Sequence, residues 1–264
     1  MIKYPLYLVP FDFSEISESA LKLSLDLAEA NDGSVYLLNV VKNKKQKVIV
    51  RDKFRQLLST LEEDKQALIF ANVIIGNPFE DIGKVADVLR PSLVVMGTKG
   101  AKGMQKVFGS HVEKILQNSS SPILVTQGKK DLDKIRNIVM PFSFTRESLQ
   151  VSRFAGDMAK KFFARIHIVG SHDKHEIHED QFDLNKRNIV KLLEENDIPH
   201  VIVDLPRVKS FEEELLDYAA EVDADVIAAA YTSDKLMPRP SSFLREMIEN
   251  EYSIPVMTVN ADEL

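Results

Sequence analysis

The chain has 264 residues, 44% of them hydrophobic, with no cysteine and with 34 basic against 40 acidic side chains, a formal net charge of -6. That length favours two domains of ordinary size, and the missing cysteines exclude disulfides, thiolate metal sites and thiol chemistry. The acidic balance argues against nucleic acid as a main partner, although a local basic patch is compatible with it.

Taken in chain order, Tyr7-Leu8-Val9 is a short apolar run ending at Pro10 and reads as a buried strand. Ser14 is placed to cap a helix starting at Glu15, apolar residues at 16, 20, 23 and 27 follow the helical period, and Gly33 sits where a C-terminal cap belongs. Residues 35–41 form a second strand, 42–47 a basic solvated loop, and Phe54, Leu57, Leu58 and Leu61 a helical stripe. A third strand over 67–75 is broken by Gly76-Asn77-Pro78; a helix over 79–89, an apolar strand over 93–96, a helix over 111–117 and a last strand over 123–126 follow. This alternation predicts a parallel sheet with helices on both faces. Ligands in such sheets sit beyond the carboxyl ends of the strands, at the switch point.

The same pattern then repeats. Pro10-Phe11-Asp12-Phe13-Ser14 recurs as Pro141-Phe142-Ser143-Phe144-Thr145, a shift of 131 that also carries Asp26 onto Asp157 and Ala28 onto Ala159. Pro122 matches Pro255 at a shift of 133, so loops absorb two residues. The two units are expected over 1–128 and 132–264, joined by a short polar linker. The N-terminus enters its strand without a long apolar signal region, and no apolar stretch approaches the roughly 20 residues of a bilayer span. A cytoplasmic protein with no membrane partner is the expectation.

Directly after the fourth strand comes Gly97-Thr98-Lys99-Gly100-Ala101-Lys102-Gly103, and Gly109-Ser110 opens the next helix. Glycines let the backbone approach a ligand, successive N–H groups converge on an anion, and a helix start adds unpaired donors. Lys99, Lys102 and Lys106 add positive charge. The spacing is neither the P-loop GxxxxGK[ST] nor the dinucleotide GxGxxG. A glycine-rich turn with nothing bound is the plain alternative.

These segments, with the strand Leu37-Leu38-Asn39-Val40-Val41 and the run Pro122-Ile123-Leu124-Val125, resemble the universal stress protein family across the first copy and more faintly across the second. The resemblance implies two tandem copies of a five-stranded parallel-sheet, adenine-nucleotide-hydrolase-like (Rossmann-like) α/β domain. It also implies binding of ATP, with Mg2+. The family signature is Gly, two residues, Gly, nine residues, Gly, then Ser or Thr. Here Gly97 and Gly100 match, and eight residues rather than nine separate Gly100 from Gly109. Carried over by position, Asp12 is placed near the ribose and phosphates or their metal, and the main chain of Val40 at the adenine edge. Gly97, Lys99, Gly100, Gly109 and Ser110 wrap the ribose and phosphates, flanked by Pro10, Phe11, Met96, His111 and Val112. For Asp12 a structural role, as a carboxylate serving the helix start, is equally open. The resemblance further implies that the two units pair through their last strands as an intramolecular pseudo-dimer, with a homodimer as an extension.

In the second copy Asp12 becomes Ser143, Gly97 becomes Ala230, Gly100 becomes Ser233 and Gly109 becomes Ser242, while Pro238 and Pro240 enter the loop. Nucleotide is therefore expected in the first copy only. His172, His175 and His178, near His167, are candidate zinc ligands, but a surface histidine run is more often simply solvated. Three functional readings follow: an ATP-binding stress-response regulator acting on a protein partner, a nucleotide-independent interaction or scaffold protein, and a slow ATPase. The last lacks a convincing general base.

Overall fold

The computed structural model describes residues 4–98, 110–117, 119, 121–130, 132, 134–142, 146–170, 179–206, 208–231 and 242–260. The chain divides into two compact units, Met1–Asp133 and Lys134–Leu264. The first runs β1 (Leu6–Pro10), α1 (Glu15–Ala30), β2 (Ser34–Val41), α2 (Lys44–Ser59), α3 (Glu63–Ala67) and β3 (Ile69–Ile75). It continues through α4 (Pro78–Leu89), β4 (Leu93–Gly97), α5 (Ser110–Gln117) and β5 (Ile123–Thr126). The second comprises β6 (Asn137–Pro141), α6 (Arg146–Phe162), β7 (Arg165–Gly170), α7 (Glu179–Glu194), β8 (His200–Asp204), α8 (Phe211–Glu221), β9 (Val226–Tyr231), α9 (Ser242–Ile248) and β10 (Val256–Asn260).

Within each unit the strands are parallel. Their order is β3-β2-β1-β4-β5 in the first and β8-β7-β6-β9-β10 in the second, so the α/β architecture is the same twice. β4 and β5 are buried along almost their whole length, as parallel strands covered by helices on both faces are. Right-handed crossovers place α1 and α2 on one face of the first sheet and α4 and α5 on the other.

Helix termini explain where the sequence expectations shift. α1 ends not on Gly33 but on a left-handed Asp32 (φ 52), and the Gly33 amide reaches back to the Ala28 carbonyl at 2.8 Å. Gly33 is glycine because a Cβ there would lie 2.8 Å from the Pro5 carbonyl oxygen and 3.0 Å from the Tyr7 ring. The second unit repeats the motif one repeat later, with left-handed Phe163 (φ 55) and Ala164 N–H to Ala159 O at 2.8 Å. The expected basic loop over 42–47 is largely helix. Asn43 accepts from the Gln46 amide at 3.0 Å while Gln46 Oε1 takes the Lys42 amide at 2.9 Å, and that pair of caps starts α2 at Lys44. The third strand is shorter than expected because Glu63–Ala67 closes a helical turn before it. Among the described residues no helix is long and apolar enough to cross a membrane.

Candidate functional site

β1 and β4 are neighbours whose connections leave in opposite directions, to β2 and to β5, so their carboxyl ends define the switch point of the first sheet. Pro10, Phe11 and Asp12 arrive there from β1, and Met96, Gly97 and Thr98 from β4. The Phe11 side chain is buried, its amide donates to the Leu38 carbonyl at 2.9 Å, and its carbonyl accepts from Asn39 Nδ2 at 2.6 Å. β2 outruns β1 by three residues. Main-chain groups alternate sides along a strand; Leu38 bonds to the β1 side and Val41 to the β3 side, where it accepts from Gly76. The N–H and C=O of Val40 therefore face the β1 side, past the last β1 pairing at Pro10.

The turn from β1 into α1 is built by short polar side chains. Asp12 Oδ1 accepts from the Ser14 amide at 3.0 Å and from the Ser14 hydroxyl at 2.5 Å, an Asx turn. Ser14 caps α1, and Ser17 completes a reciprocal capping box by accepting the Ser14 amide at 3.1 Å. Partial burial pushes the Asp12 carboxyl up, but the hydroxyl and amide of Ser14 together with the Ser17 hydroxyl outweigh it and hold the group below the ordinary carboxylate range. Asp12 thus serves the helix start and stands ionised at the switch point.

Between them Phe13 occupies the left-handed region (φ 66), rare for an aromatic residue and a mark of local strain. Its ring packs edge-on to Phe11 at 5.0 Å and against Phe54 of α2 at 5.0 Å, with Lys53 Nζ 5.3 Å from its centroid. On the other side, Gly97 pairs with Thr126 of β5 and lies against the first turn of α1. A Cβ at Gly97 would meet the Ile16 carbonyl oxygen at 2.3 Å. The glycine is required by this close approach of α1 to β4.

Of the residues singled out in the sequence, the structure brings Pro10, Phe11, Asp12, Val40, Met96 and Gly97 to one end of the sheet. Ser110 opens α5, His111 lies in its first turn, and the Val112 side chain is buried in the core. Lys99, Gly100 and Gly109 lie outside the described residues, as do His172, His175 and His178. His167 is a core residue, with Nδ1 2.8 Å from the Tyr218 hydroxyl and Nε2 3.4 Å from Asn137 Oδ1. Among the described residues no cluster of three or more His, Asp or Glu could hold a metal ion. Asn39, Phe13 and Phe54 were not anticipated. Asn39 carried a signal, a lone amide within an apolar strand, whereas the aromatic cluster had none, because its members lie 41 residues apart.

The corresponding end of the second sheet carries different residues. Gly170, the counterpart of Asn39, stands so close to the Phe142 ring that a Cβ would meet it at 2.3 Å, and Phe142 packs tilted against Phe182 of α7 at 4.5 Å, as Phe11 does against Phe54 at 5.9 Å in the first unit. Tyr231, the counterpart of Thr98, is fully buried. Ser143, the counterpart of Asp12, lies outside the described residues.

A model of the universal stress protein family matches residues 6–127. Universal stress protein MJ0531 of Methanocaldococcus jannaschii is 28% identical over 143 residues, covering 48% of this chain and 84% of that protein. MJ0577, a second universal stress protein of that organism, is 26% identical over 160 residues, covering 48% and 98%. A universal stress protein structure from Archaeoglobus fulgidus superposes with a TM-score of 0.73 at 19% identity, over 97% of this chain and 98% of that one, a likeness of fold. The first unit, over residues 6–127, is thus similar in sequence to the universal stress protein family, and its relatives align with about half of this chain.

Proposed function

We propose that the first unit holds one ATP with Mg2+ at the β1/β4 switch point and that the chain is a nucleotide-responsive regulatory protein of stress response. The observation that carries this reading is the pairing of an ionised Asp12 at the end of β1 with the overhanging main chain of Val40 on β2. A carboxylate, a main-chain edge and a side-chain-free Gly97 fit the three parts of a magnesium nucleotide: cation, base and ribose-phosphate. Asp12 would contribute to holding Mg2+, Val40 would pair with the base edge through its N–H and C=O, and Gly97 would present its main chain beside the ribose. Mg2+ supplies charge neutralisation of the phosphates when bound. The Lys99–Gly109 segment and the amides opening α5 would complete the phosphate contacts.

Nucleotide in the first unit alone is supported by the second unit's contrast at the equivalent positions, where Ser143 stands for Asp12, Ala230 for Gly97 and buried Tyr231 for Thr98. Ligand binding that orders one conformation of the chain would shift its population toward a form a partner recognises. Isothermal titration of the full chain with Mg2+ and ATP tests the reading. One site per chain is expected, weakened at least tenfold by Asp12→Asn and abolished by Gly100→Val with Gly109→Val. No heat from the wild-type protein, with no nucleotide extractable from it, would end the proposal.

A further inference from the structure

α2 has a composition that the fold of the first unit does not use. It buries a single side chain, Phe54, while Val48 is 60% and Ile49 49% exposed. Between positions 42 and 55 seven Lys and Arg face one acid, Asp52, in a chain whose net charge is -6. Asp52 is taken by Arg55 at 2.6 Å, and among the described residues Lys44 and Lys45 form no salt bridge. Those two lysines occupy the first helical turn, which carries no acid, the end where a positive charge opposes the helix dipole. The repeat supplies the comparison. α7, in the corresponding place of the second unit, opens with Glu179 and Asp180 and mixes both signs along its length. The cationic face is therefore a property of the first unit and not of the fold.

At 3.6 residues per turn, Lys45 and Ile49 point away from the buried Phe54, and Lys44, Val48 and Arg55 flank them. Two exposed aliphatic side chains thus sit among cations. Local charge rules broken without a compensating contact inside the fold mark a surface that serves an outside one. The cations are mostly lysines, five of the seven; lysine offers diffuse point charge, where arginine would offer the fork that grips individual carboxylates. The helix's aromatic residue is turned inward onto Phe11 and Phe13, so the outer face has no ring on which bases could stack.

We propose that the outer face of α2 docks the protein on an anionic lipid surface, lysines against the headgroups and Val48 and Ile49 at the acyl boundary. Such docking lies on the bilayer and needs no spanning segment. It is independent of the nucleotide reading and is measured without nucleotide. The test is flotation of the full chain with vesicles of phosphatidylserine and phosphatidylcholine, against phosphatidylcholine alone. Binding to the anionic vesicles only, reversed by salt, is expected. Lys44→Gln with Lys45→Gln should weaken it about thirtyfold, and Ile49→Ser should weaken it at unchanged salt dependence. Lys186→Gln with Lys191→Gln on α7 should leave it unaltered. The lysine variants relieve a dipole conflict, so a circular dichroism melt no lower than wild type is expected to accompany their loss of binding. No binding to anionic vesicles at low salt, equal binding to neutral ones, insensitivity to the α2 lysines, or tighter binding to a DNA duplex or to an acidic polypeptide than to the vesicles would each overturn the proposal.

Discussion

Substituting Gly97 by alanine adds one methyl group where the structure has no room for it. The added Cβ would stand 2.3 Å from the Ile16 carbonyl oxygen and 2.9 Å from its carbon, both main-chain atoms of α1 that cannot rotate aside. Either α1 or β4 must shift. Overpacking of this kind costs about 1–3 kcal/mol, offset by the roughly 0.5–1 kcal/mol that alanine gains over glycine inside a regular element. Because both contacts fall on main-chain atoms inside 3.0 Å, the upper part of that range applies, and the net loss is about 2 kcal/mol. With a urea slope of about 2 kcal/mol per molar for a unit of this size, the midpoint of the first unit falls by about 1 M. The second unit is the internal control, because its counterpart is already Ala230. Ala230→Gly removes a tolerated methyl and costs about 0.5–1 kcal/mol, a shift below roughly 0.5 M. Hydrogen exchange on β4 and β9 across a urea series reads the two units separately. A Gly97→Ala protein whose β4 protection midpoint matches wild type within about 0.2 M would refute the close-approach argument, and Gly97 would then be free to be explained by ligand access alone.

Phe54→Ala removes the only buried side chain of α2 and should cost about 3–5 kcal/mol; exchange protection of α2 should be lost before that of the central strands. The Asp12 carboxyl titrates below its unfolded value, so its contribution to stability is present above about pH 4 and is lost as pH falls through the lowered folded value. Asp12→Asn, which removes the charge but keeps an oxygen that can accept from Ser14, should flatten the acid limb of the urea midpoint below about pH 4 and lower the midpoint at neutral pH, where the ionised carboxylate contributes. His167 is also depressed, by burial first and by Arg165 second. The unfolded chain therefore takes up its proton first, and the second unit should lose stability as pH falls below about 6.5. His167→Gln should remove that slope between about pH 5 and 7; a slope that persists would place the titrating group elsewhere.

Much of the candidate site was readable along the chain because its scaffold is local. The run from Tyr7 to Pro10 and the one from Leu93 to Met96 declare buried parallel strands by their unbroken apolarity, and their alternation with helical stripes sets the strand order's class. The cap at Ser14 was likewise local, a hydroxyl before an apolar-periodic helix. The start of α2 reads as a loop because a run of lysines obscures an Asn43 cap that works through Gln46 three residues on. The double duty of Asp12, as Asx-turn acceptor and as exposed ionised carboxylate, needed coordinates, since its level depends on where Ser14 and Ser17 point.

What the amino-acid order determined unaided is the duplication, the parallel α/β class of each copy and the loss in the second copy of the residues that distinguish the first, all properties of periodicity and of residue identity at a constant shift. What only the tertiary structure decided is why particular residues stand where they do. Gly97 answers to Ile16, 81 positions earlier, Gly33 to Pro5, and Phe13 to Phe54, while Gly170 makes way for the Phe142 ring. Each of these is a distance between atoms remote in sequence, fixed by how α1, α2 and the strands pack, and close packing of that kind leaves no trace in local composition.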